Sequence, residues 1–250
     1  MSRQKLGQHF LIRGSVLERI ATAVCPNPCE LVVEIGPGRG ALTEKLLARA
    51  ERVVAIELDP FLVTHLRAKF AGESRLTVVH ADVLATDLGQ WGAAPVAGNL
   101  PYYITSPILA QTVRGGAPRA VFLMQKEVAE RLVAQPGSRD YGFLTVQTAL
   151  FATARMLFEV KPAAFHPPPK VDSAVALLEP HHRDWGVDRE RLLRFVGRCF
   201  EHKRKTIRNN LAEFYGKDVV AAWPEAGLRA EQLSIEQFAA MYARVAAMML

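Results

Sequence analysis

The feature that most limits the fold is one theme repeated between Leu31 and Pro180: a short apolar run, a turn with Gly, Pro or Asp, and an amphipathic stretch. This alternation predicts βαβ units. The predicted strands are Leu31–Ile35, Arg52–Leu58, Leu76–Ala81, Pro95–Gly98, Ala120–Met124, Arg155–Val160 and Ala174–Leu178. The predicted helices between them include Ala41–Ala50, Pro60–Phe70, Pro107–Arg114 and Lys126–Ala134. Because strands this apolar are buried on both faces, we expect an α/β fold with a mostly parallel, doubly wound sheet.

The pattern changes after Pro180, where helical periodicity continues without a convincing strand. The predicted helices there are Val187–Phe200, Arg204–Phe214, Val219–Ala222 and Ser234–Met249, the last opened by a capping box of Ser234 and Gln237. The stretch His181–Gly186 is polar and rich in turn residues. We therefore predict two domains, an α/β domain over residues 1–180 and a small all-α domain over residues 181–250.

The positive charge is concentrated in one segment. The 250 residues carry 31 Lys and Arg against 25 Asp and Glu, a net charge of +6. The stretch from Arg189 to Arg208 holds eight basic and two acidic residues, so it alone accounts for that excess. A basic segment this short predicts a polyanionic partner, with a solvated helix face as the alternative.

Composition and cysteine use exclude several classes of protein. Half of the residues are apolar and 22% are charged, which is typical of a folded globular protein and not of a disordered chain. No run approaches the roughly 18 apolar residues of a membrane span, and Met1–Gly14 has no apolar signal-peptide core, so we expect an intracellular protein, cytoplasmic, with an organelle as the alternative. Cys25, Cys29 and Cys199 are an odd number without zinc spacing, which predicts reduced thiols and no metal site.

A glycine-rich turn follows the first predicted strand, in the run Glu34-Ile35-Gly36-Pro37-Gly38-Arg39-Gly40. Glycines there let the backbone approach a ligand closely and expose amides at a helix N-terminus. With Ala41 the run also fits a dinucleotide pattern, so a nicotinamide dehydrogenase is an alternative. Glu57, 21 residues after Gly36, has the position of an acid that binds ribose hydroxyls, or of a solvated carboxylate at a strand end.

Asp82 ends the third predicted strand. Its carboxylate could accept a hydrogen bond from an adenine amino group, or it could cap a helix. The glycine-rich turn, Glu57 and Asp82 follow three consecutive strands, whose carboxyl ends meet at one edge of a parallel sheet. Together they predict a cofactor that carries a nucleoside.

The motif Asn99-Leu100-Pro101-Tyr102 directly follows the fourth predicted strand. An exocyclic adenine amine is a poor nucleophile because its lone pair is delocalised into the ring. An Asn oxygen and a backbone carbonyl that accept its two hydrogens would orient that lone pair, while an aromatic ring stacks on the base. Pro fixes the turn. This chemistry requires neither a strong base nor a metal; an ordinary Pro turn is the alternative.

This motif resembles the signature of S-adenosylmethionine-dependent amino-group methyltransferases, and its Leu form is similar to the branch that modifies rRNA adenine at N6. Further segments similar to that family are Lys5–Leu11, Gln125–Leu132, Ala164–Val175 and Arg204–Leu211. The chain is therefore identified as a member of the KsgA and Erm superfamily of rRNA adenine-N6,N6-dimethyltransferases. Arg204–Leu211 favours the small-subunit KsgA branch over the large-subunit Erm branch.

The resemblance implies a Rossmann-like methyltransferase sheet with helices on both faces, followed by a small all-α domain. It implies S-adenosylmethionine as cofactor, S-adenosylhomocysteine as product and no metal. The implied reaction is dimethylation of two adjacent adenosines near the 3′ end of 16S rRNA in 30S particles, by a monomer, during ribosome biogenesis. A non-enzymatic RNA-binding or assembly-checkpoint protein is another class, against which the intact Asn99–Tyr102 motif with Glu57 and Asp82 argues.

The resemblance also implies roles for individual residues. The implied cofactor contacts are His9, Leu11, Gly36, Gly38, Glu57, Asp82 and Asn99. The implied target-base residues are Asn99, Leu100, Pro101, Tyr102 and Phe165, the last with a core aromatic as its alternative. The implied RNA-binding residues are Arg194, Arg198, Lys203, Arg204, Lys205 and Arg208. Many relatives have Asn where this chain has His9, which leaves the role of that side chain open.

Overall fold

The computed structural model describes residues 9–101 and 104–248. The chain forms two compact units, each assembled from two chain segments. An α/β unit comprises Met1–Ala129 and Thr153–Pro180, and a helical unit comprises Glu130–Ala152 and His181–Leu250.

A seven-stranded sheet is the centre of the α/β unit. Its strands are β2 (Cys29–Ile35), β3 (Ala50–Glu57), β4 (Leu76–His80), β5 (Val96–Asn99), β6 (Ala120–Gln125), β7 (Ala152–Val160) and β9 (Ser173–Pro180), and a separate antiparallel pair joins β1 (Phe10–Leu11) to β8 (Phe165–His166). The strand order is β4-β3-β2-β5-β6-β9-β7. The first five strands in that order run parallel, and β9 runs antiparallel to β6. The predicted mostly parallel α/β sheet is confirmed.

Burial explains why the strand sequences are so apolar. Every side chain from Ala120 to Met124 in β6 is 0% exposed, so neighbouring residues that point to opposite faces are equally buried. The helices of this part of the chain are α1 (Gly14–Val24), α2 (Ala41–Leu47), α3 (Pro60–Lys69), α4 (Thr105–Arg114) and α5 (Lys126–Leu132). Helix α3 begins where predicted because Asp59 accepts a hydrogen bond from the Phe61 amide and Pro60 occupies the first turn.

The helical unit contains α6 (Phe143–Phe151), α7 (Arg189–Phe200), α8 (Ile207–Tyr215), α9 (Lys217–Ala221) and α10 (Ile235–Met248). Four of these match the helices predicted after Pro180. The predicted capping box of α10 is confirmed: the Ser234 amide donates to Gln237 Oε1 at 2.9 Å, and the Gln237 amide donates to Ser234 Oγ at 3.3 Å.

The predicted domain limits, 1–180 and 181–250, differ from the observed units in the segment Glu130–Ala152, which belongs to the helical unit. Long-range hydrogen bonds hold it there. The Tyr141 hydroxyl donates to the Leu233 carbonyl at 2.7 Å, and the Gly137 amide donates to the Glu231 carbonyl at 2.8 Å. Bonds between residues this far apart in sequence leave no trace in local periodicity, so the pattern alone did not indicate that Glu130–Ala152 belongs with the C-terminal helices.

The prediction that all three thiols are reduced is wrong for one pair. Cys25 and Cys29 form a disulfide, because the intervening turn brings their Cα atoms to 6.2 Å, within the range that a disulfide spans. Cys199 is free and buried, and burial raises the pKa of its thiol.

Among residues 9–101 and 104–248, no cluster of three His, Cys, Asp or Glu side chains is placed to hold a metal ion. In the same part of the chain, no helix combines the length and the apolar character needed to cross a membrane.

Candidate functional site

A cavity of about 300 Å³ lies at the carboxyl ends of β2, β3 and β5. Strand β2 lies between β3 and β5, so this is the point where the strand order reverses, the usual ligand site of an open parallel sheet. The lining comes from the turn after β2, the ends of β3 and β5, helices α1 and α2, and the β1–β8 pair. A cavity therefore lies at the edge of the sheet where the sequence predicts the cofactor.

The glycine-rich turn after β2 forms one wall, and its backbone requires glycine. Gly36, Gly38 and Gly40 have φ angles of +66°, +59° and +77°. Residues that carry a side chain rarely adopt this left-handed backbone conformation. A Cβ on Gly38 would also lie 3.1 Å from the Phe10 ring, and one on Gly40 would lie 2.6 Å from the Phe70 ring. The turn thus leaves its backbone bare toward the cavity.

Glu57 is a buried carboxylate, 6% exposed, and not a solvated strand end. Its Oε2 accepts a hydrogen bond from the Gly38 amide at 3.1 Å, and its Oε1 accepts from the Leu58 and Asp59 amides at 2.9 and 3.0 Å. Burial raises the pKa of Glu57, and the three backbone donors oppose that shift. These bonds fix the carboxylate against the glycine-rich turn while lone pairs remain that could accept hydroxyl donors.

Glu34, in the same wall, is a second buried carboxyl that our sequence analysis did not assign to the site. It is 1% exposed, lines the cavity, and its Oε2 accepts a hydrogen bond from the Thr43 hydroxyl at 2.6 Å. Burial raises its pKa from 4.5 to about 7; Glu57 adds to the rise, while Thr43 and Lys69 oppose it.

This shift predicts a pH-dependent stability. Because the folded-state pKa of Glu34 lies above its unfolded value, the folded protein binds this proton more tightly, and the contribution of Glu34 to stability falls as pH rises from about 4.5 through 7. The loss is on the order of 3 kcal/mol by pH 8. Glu34→Gln keeps an acceptor for Thr43 without the charge, so the stability of the wild type relative to the variant should fall by most of that amount between pH 5 and pH 8.

Urea unfolding at several pH values measures this difference, with Glu213→Gln, at an exposed position of α8, as the control substitution. A wild-type-minus-variant difference that is the same at pH 5 and pH 8 would contradict the prediction.

Asn99, the last residue of β5, brings an amide to the cavity. Its Nδ2 donates to the His9 carbonyl at 3.0 Å. Leu100 is 1% exposed, and its amide donates to the Leu123 carbonyl, which continues the sheet past β5. The Pro101 carbonyl accepts from the Thr105 hydroxyl at 3.1 Å, so the motif leads directly into α4. Asn99, Leu100 and Pro101 all line the cavity; Tyr102 lies outside the described residues.

The other predicted site residues divide into two groups. His9, Leu11, Gly36 and Gly38 line the cavity with Glu57 and Asn99. Asp82 is exposed and outside the lining, and its Oδ1 accepts from the Leu84 amide at 2.9 Å, which is the capping alternative. Phe165 is 3% exposed and packs in the core, while its neighbour His166 lines the cavity. The structure therefore does not bring the Asp82 carboxylate or the Phe165 ring into this cavity.

The comparisons with known proteins agree with this geometry. The sequence profile of the family described as ribosomal RNA adenine dimethylase matches residues 1–247. The chain belongs to that family. Ribosomal RNA small subunit methyltransferase A of Acidobacterium capsulatum is 46% identical, over 96% of this chain and 90% of that protein, and its namesake in Pseudomonas fluorescens is 40% identical, over 95% and 91%.

Two solved structures resemble this dimethylase over nearly its whole length. A dimethyladenosine transferase from Plasmodium falciparum has a TM-score of 0.79 at 25% identity, covering 96% of this chain and 98% of that one. The 23S rRNA methyltransferase ErmE has a TM-score of 0.70 at 28% identity, covering 95% and 99%. The predicted family, fold class and enzyme class, an rRNA adenine dimethyltransferase, are confirmed.

The predicted RNA-binding residues of this dimethylase all lie in the helical unit and are exposed. Arg194 and Arg198 lie on α7, Lys203, Arg204 and Lys205 lie in the turn that follows, and Arg208 lies on α8. No ion pair joins any of the six to another residue in the described ranges. Arg198 differs from the rest because its guanidinium donates to the Tyr215 hydroxyl at 2.8 Å and lies 4.5 Å from the Phe214 ring centre.

The buried side chain of Asn210 binds the backbone next to the turn that carries Lys203, Arg204 and Lys205. This side chain is 5% exposed, and its Nδ2 donates to the carbonyls of Cys199 at 2.8 Å and His202 at 3.3 Å. Asn210 thereby satisfies carbonyls left open at the end of α7. These hydrogen bonds fix the backbone of the exposed basic turn where it leaves α7.

Several residues that line the cavity were not predicted. They are Phe10, Ile12, Leu17, Ile20, Glu34, Pro37, Arg39, Ala41, Leu42 and His166. Leu17 and Ile20 belong to α1, whose 3.6-residue apolar period in this dimethylase was a usable signal. Phe10 lies between two predicted residues, and the Arg39 guanidinium stacks 4.5 Å from its ring centre. That contact joins distant segments and could not be read from the sequence.

Proposed function

We propose that this dimethylase transfers methyl groups from S-adenosylmethionine to the N6 amines of two adjacent adenosines near the 3′ end of small-subunit rRNA, two methyls on each. It does so on 30S particles, as a monomer in the cytoplasm. The single observation that carries the proposal is the position of Asn99, which lines the same cavity as the glycine-rich turn and Glu57. The small-subunit substrate is supported by the names of relatives up to 46% identical.

The cavity wall suits a nucleoside cofactor. The Glu57 carboxylate is fixed by the Gly38, Leu58 and Asp59 amides, and its remaining lone pairs would accept ribose hydroxyls. The bare backbone at Gly36 and Gly38, with Leu11 of β1 and the preceding His9, would hold the amino-acid portion. When bound, S-adenosylmethionine supplies an electrophilic methyl group on a cationic sulfur.

The Asn99 side chain and the turn after it would hold the target amine. Asn99 Oδ1 and the Leu100 carbonyl accept the two amine hydrogens and direct the nitrogen lone pair toward the methyl group. Stacking on Tyr102 offsets the few kcal/mol needed to unstack the base. The amine becomes acidic once it is methylated and cationic, so no strong base is required. A second transfer requires room for one methyl already present.

Methyl transfer to defined substrates tests the proposal. Tritium incorporation from labelled S-adenosylmethionine is measured on 30S particles and on protein-free 23S RNA in parallel, and the modified nucleosides are identified by mass. The proposal expects N6,N6-dimethyladenosine in 30S particles only. Transfer to 23S RNA alone would support the Erm-type activity, and binding to 30S particles without transfer would support a non-enzymatic role; either result would overturn it.

The helical unit would supply the phosphate contacts through its exposed basic turn and α7. Neutralising Arg194, Arg198, Lys203 and Arg204 together to Gln should weaken 30S binding, and the slope of log affinity against log salt should fall by about 3. The affinity for S-adenosylmethionine should not change. The matched control is a quadruple Gln variant at the exposed positions Arg52, Arg67, Arg155 and Lys217. An equal slope in both variants would contradict this role and would support the alternative, in which the segment is a solvated helix face.

A further inference from the structure

We propose that His9 is a positioning residue for methyl transfer: its imidazole ties the β1 segment to Pro167, so that its own carbonyl holds the Asn99 amide with Oδ1 directed at the target amine. The proposal rests on the proposed function, in which Asn99 is the hydrogen-bond acceptor for that amine. It adds a reason why the amide presents its oxygen and not its nitrogen.

The chemistry of the contact fixes the orientation of the Asn99 amide. The atom 3.0 Å from the His9 carbonyl oxygen is Nδ2. A carbonyl oxygen accepts and never donates, so an amide oxygen in that place would meet a second acceptor and be repelled. Because the two polar atoms of an amide lie on opposite sides of its carbon, Oδ1 points away from His9. An acceptor is the group that an exocyclic amine requires.

The His9 carbonyl is in turn fixed by its own side chain. His9 Nδ1 lies 2.8 Å from the Pro167 carbonyl oxygen, and because that oxygen can only accept, Nδ1 carries the proton. The next residues pair with β8, Phe10 opposite His166 and Leu11 opposite Phe165. The His9 side chain therefore extends the anchoring of a very short strand by one residue, up to the carbonyl that contacts Asn99.

Asn is the substitution that best conserves this contact. Its side-chain Nδ2 occupies the same position along the side chain as Nδ1 of His, and it donates a hydrogen bond. Leu fills a similar volume but offers no donor. The pair His9→Asn and His9→Leu thus separates the hydrogen bond from the bulk of the side chain.

The first experiment measures single-turnover methyl transfer to 30S particles at saturating S-adenosylmethionine, together with the dissociation constant of the cofactor. We expect His9→Leu to lower the rate about 10-fold and to weaken cofactor binding less than about 3-fold, because the amide is misplaced while the cavity persists. His9→Asn should restore the rate to within about 3-fold of the wild type. His65→Leu, at an exposed position of α3, is the matched control. Equal rates for the Leu and Asn variants, or a loss confined to cofactor binding, would overturn the proposal.

A double-mutant cycle then tests whether His9 acts through Asn99. In the Asn99→Ala background there is no amide to orient, so His9→Leu should lower the remaining rate less than about 2-fold. Multiplicative losses would show that His9 acts independently and would overturn the proposal. Full activity of Asn99→Ala alone would instead overturn the catalytic assignment of Asn99 itself, so the two failures are distinguishable. Thermal unfolding of each variant confirms that folded proteins are compared.

Discussion

Asn99→Ala lowers methyl transfer to 30S particles by about 100-fold to 1,000-fold, and it changes the affinity for S-adenosylmethionine less than about 10-fold; this is the expected result with the largest effect on activity. The reason is geometric. Asn99 lies at the end of β5 beside the cavity, with its amide nitrogen already engaged by the His9 carbonyl at 3.0 Å. Removing the amide would take away the acceptor that we propose orients the lone pair of the amine, while the Glu57 carboxylate and the glycine-rich turn remain.

Single-turnover rates and equilibrium cofactor binding measure the two quantities separately. The control is Asn27→Ala, which removes the same group from an exposed turn. A variant at Asn99 with wild-type turnover would refute the catalytic assignment. A variant that loses cofactor binding as strongly as turnover would place Asn99 among the cofactor contacts only.

Gly98→Ala is expected to have the largest effect on stability. Gly98 lies in β5 between β2 and β6, and a Cβ there would lie 2.5 Å from the backbone oxygen of Ile35. Backbone in the middle of a sheet cannot yield as a flexible side chain can, so the strands must separate. We expect a loss of about 3 kcal/mol or more in the free energy of unfolding, with most of the protein insoluble on expression.

Gly14→Ala is the matched control, because a Cβ at Gly14 meets nothing within 4 Å and the residue begins a helix, where Ala is favoured. Denaturant unfolding of both variants measures the difference. A Gly98→Ala protein as stable as Gly14→Ala would show that β2 and β5 can move apart at little expense, contrary to the close approach of these strands.

The parallel sheet could be predicted because its strands are apolar runs that only a sheet covered on both faces can bury. The glycine-rich turn could be predicted because a left-handed backbone leaves a specific trace, glycine at every second position from Gly36 to Gly40. The distance of Glu57 from Gly36 along the chain was enough to predict its role, but not its burial. The three backbone amides that donate to its carboxylate come together only in the folded turn.

What the sequence could not supply are contacts between distant segments. The bond from Asn99 to His9 joins residues 90 positions apart, and no local pattern encodes it. Phe165 shows a second limit: an aromatic residue beside a rigid Pro run looks the same in sequence whether it faces a ligand or the core. The structure buries it with Leu11, its partner in the β1–β8 pair.

The division of the helical unit between two chain segments limits how this protein can be cut or recombined. A fragment that ends at Pro180 keeps α6 but loses α7 and α10, the helices it packs against. Such a fragment would lose the contact between the Phe143 ring of α6 and the Phe200 ring of α7, whose centres lie 6.4 Å apart. A chimera that exchanges the helical unit with that of another family member must therefore transplant Glu130–Ala152 together with the C-terminal segment. During synthesis, too, α6 and α7 can make their contacts with α10 only after Ile235–Met248 has left the ribosome.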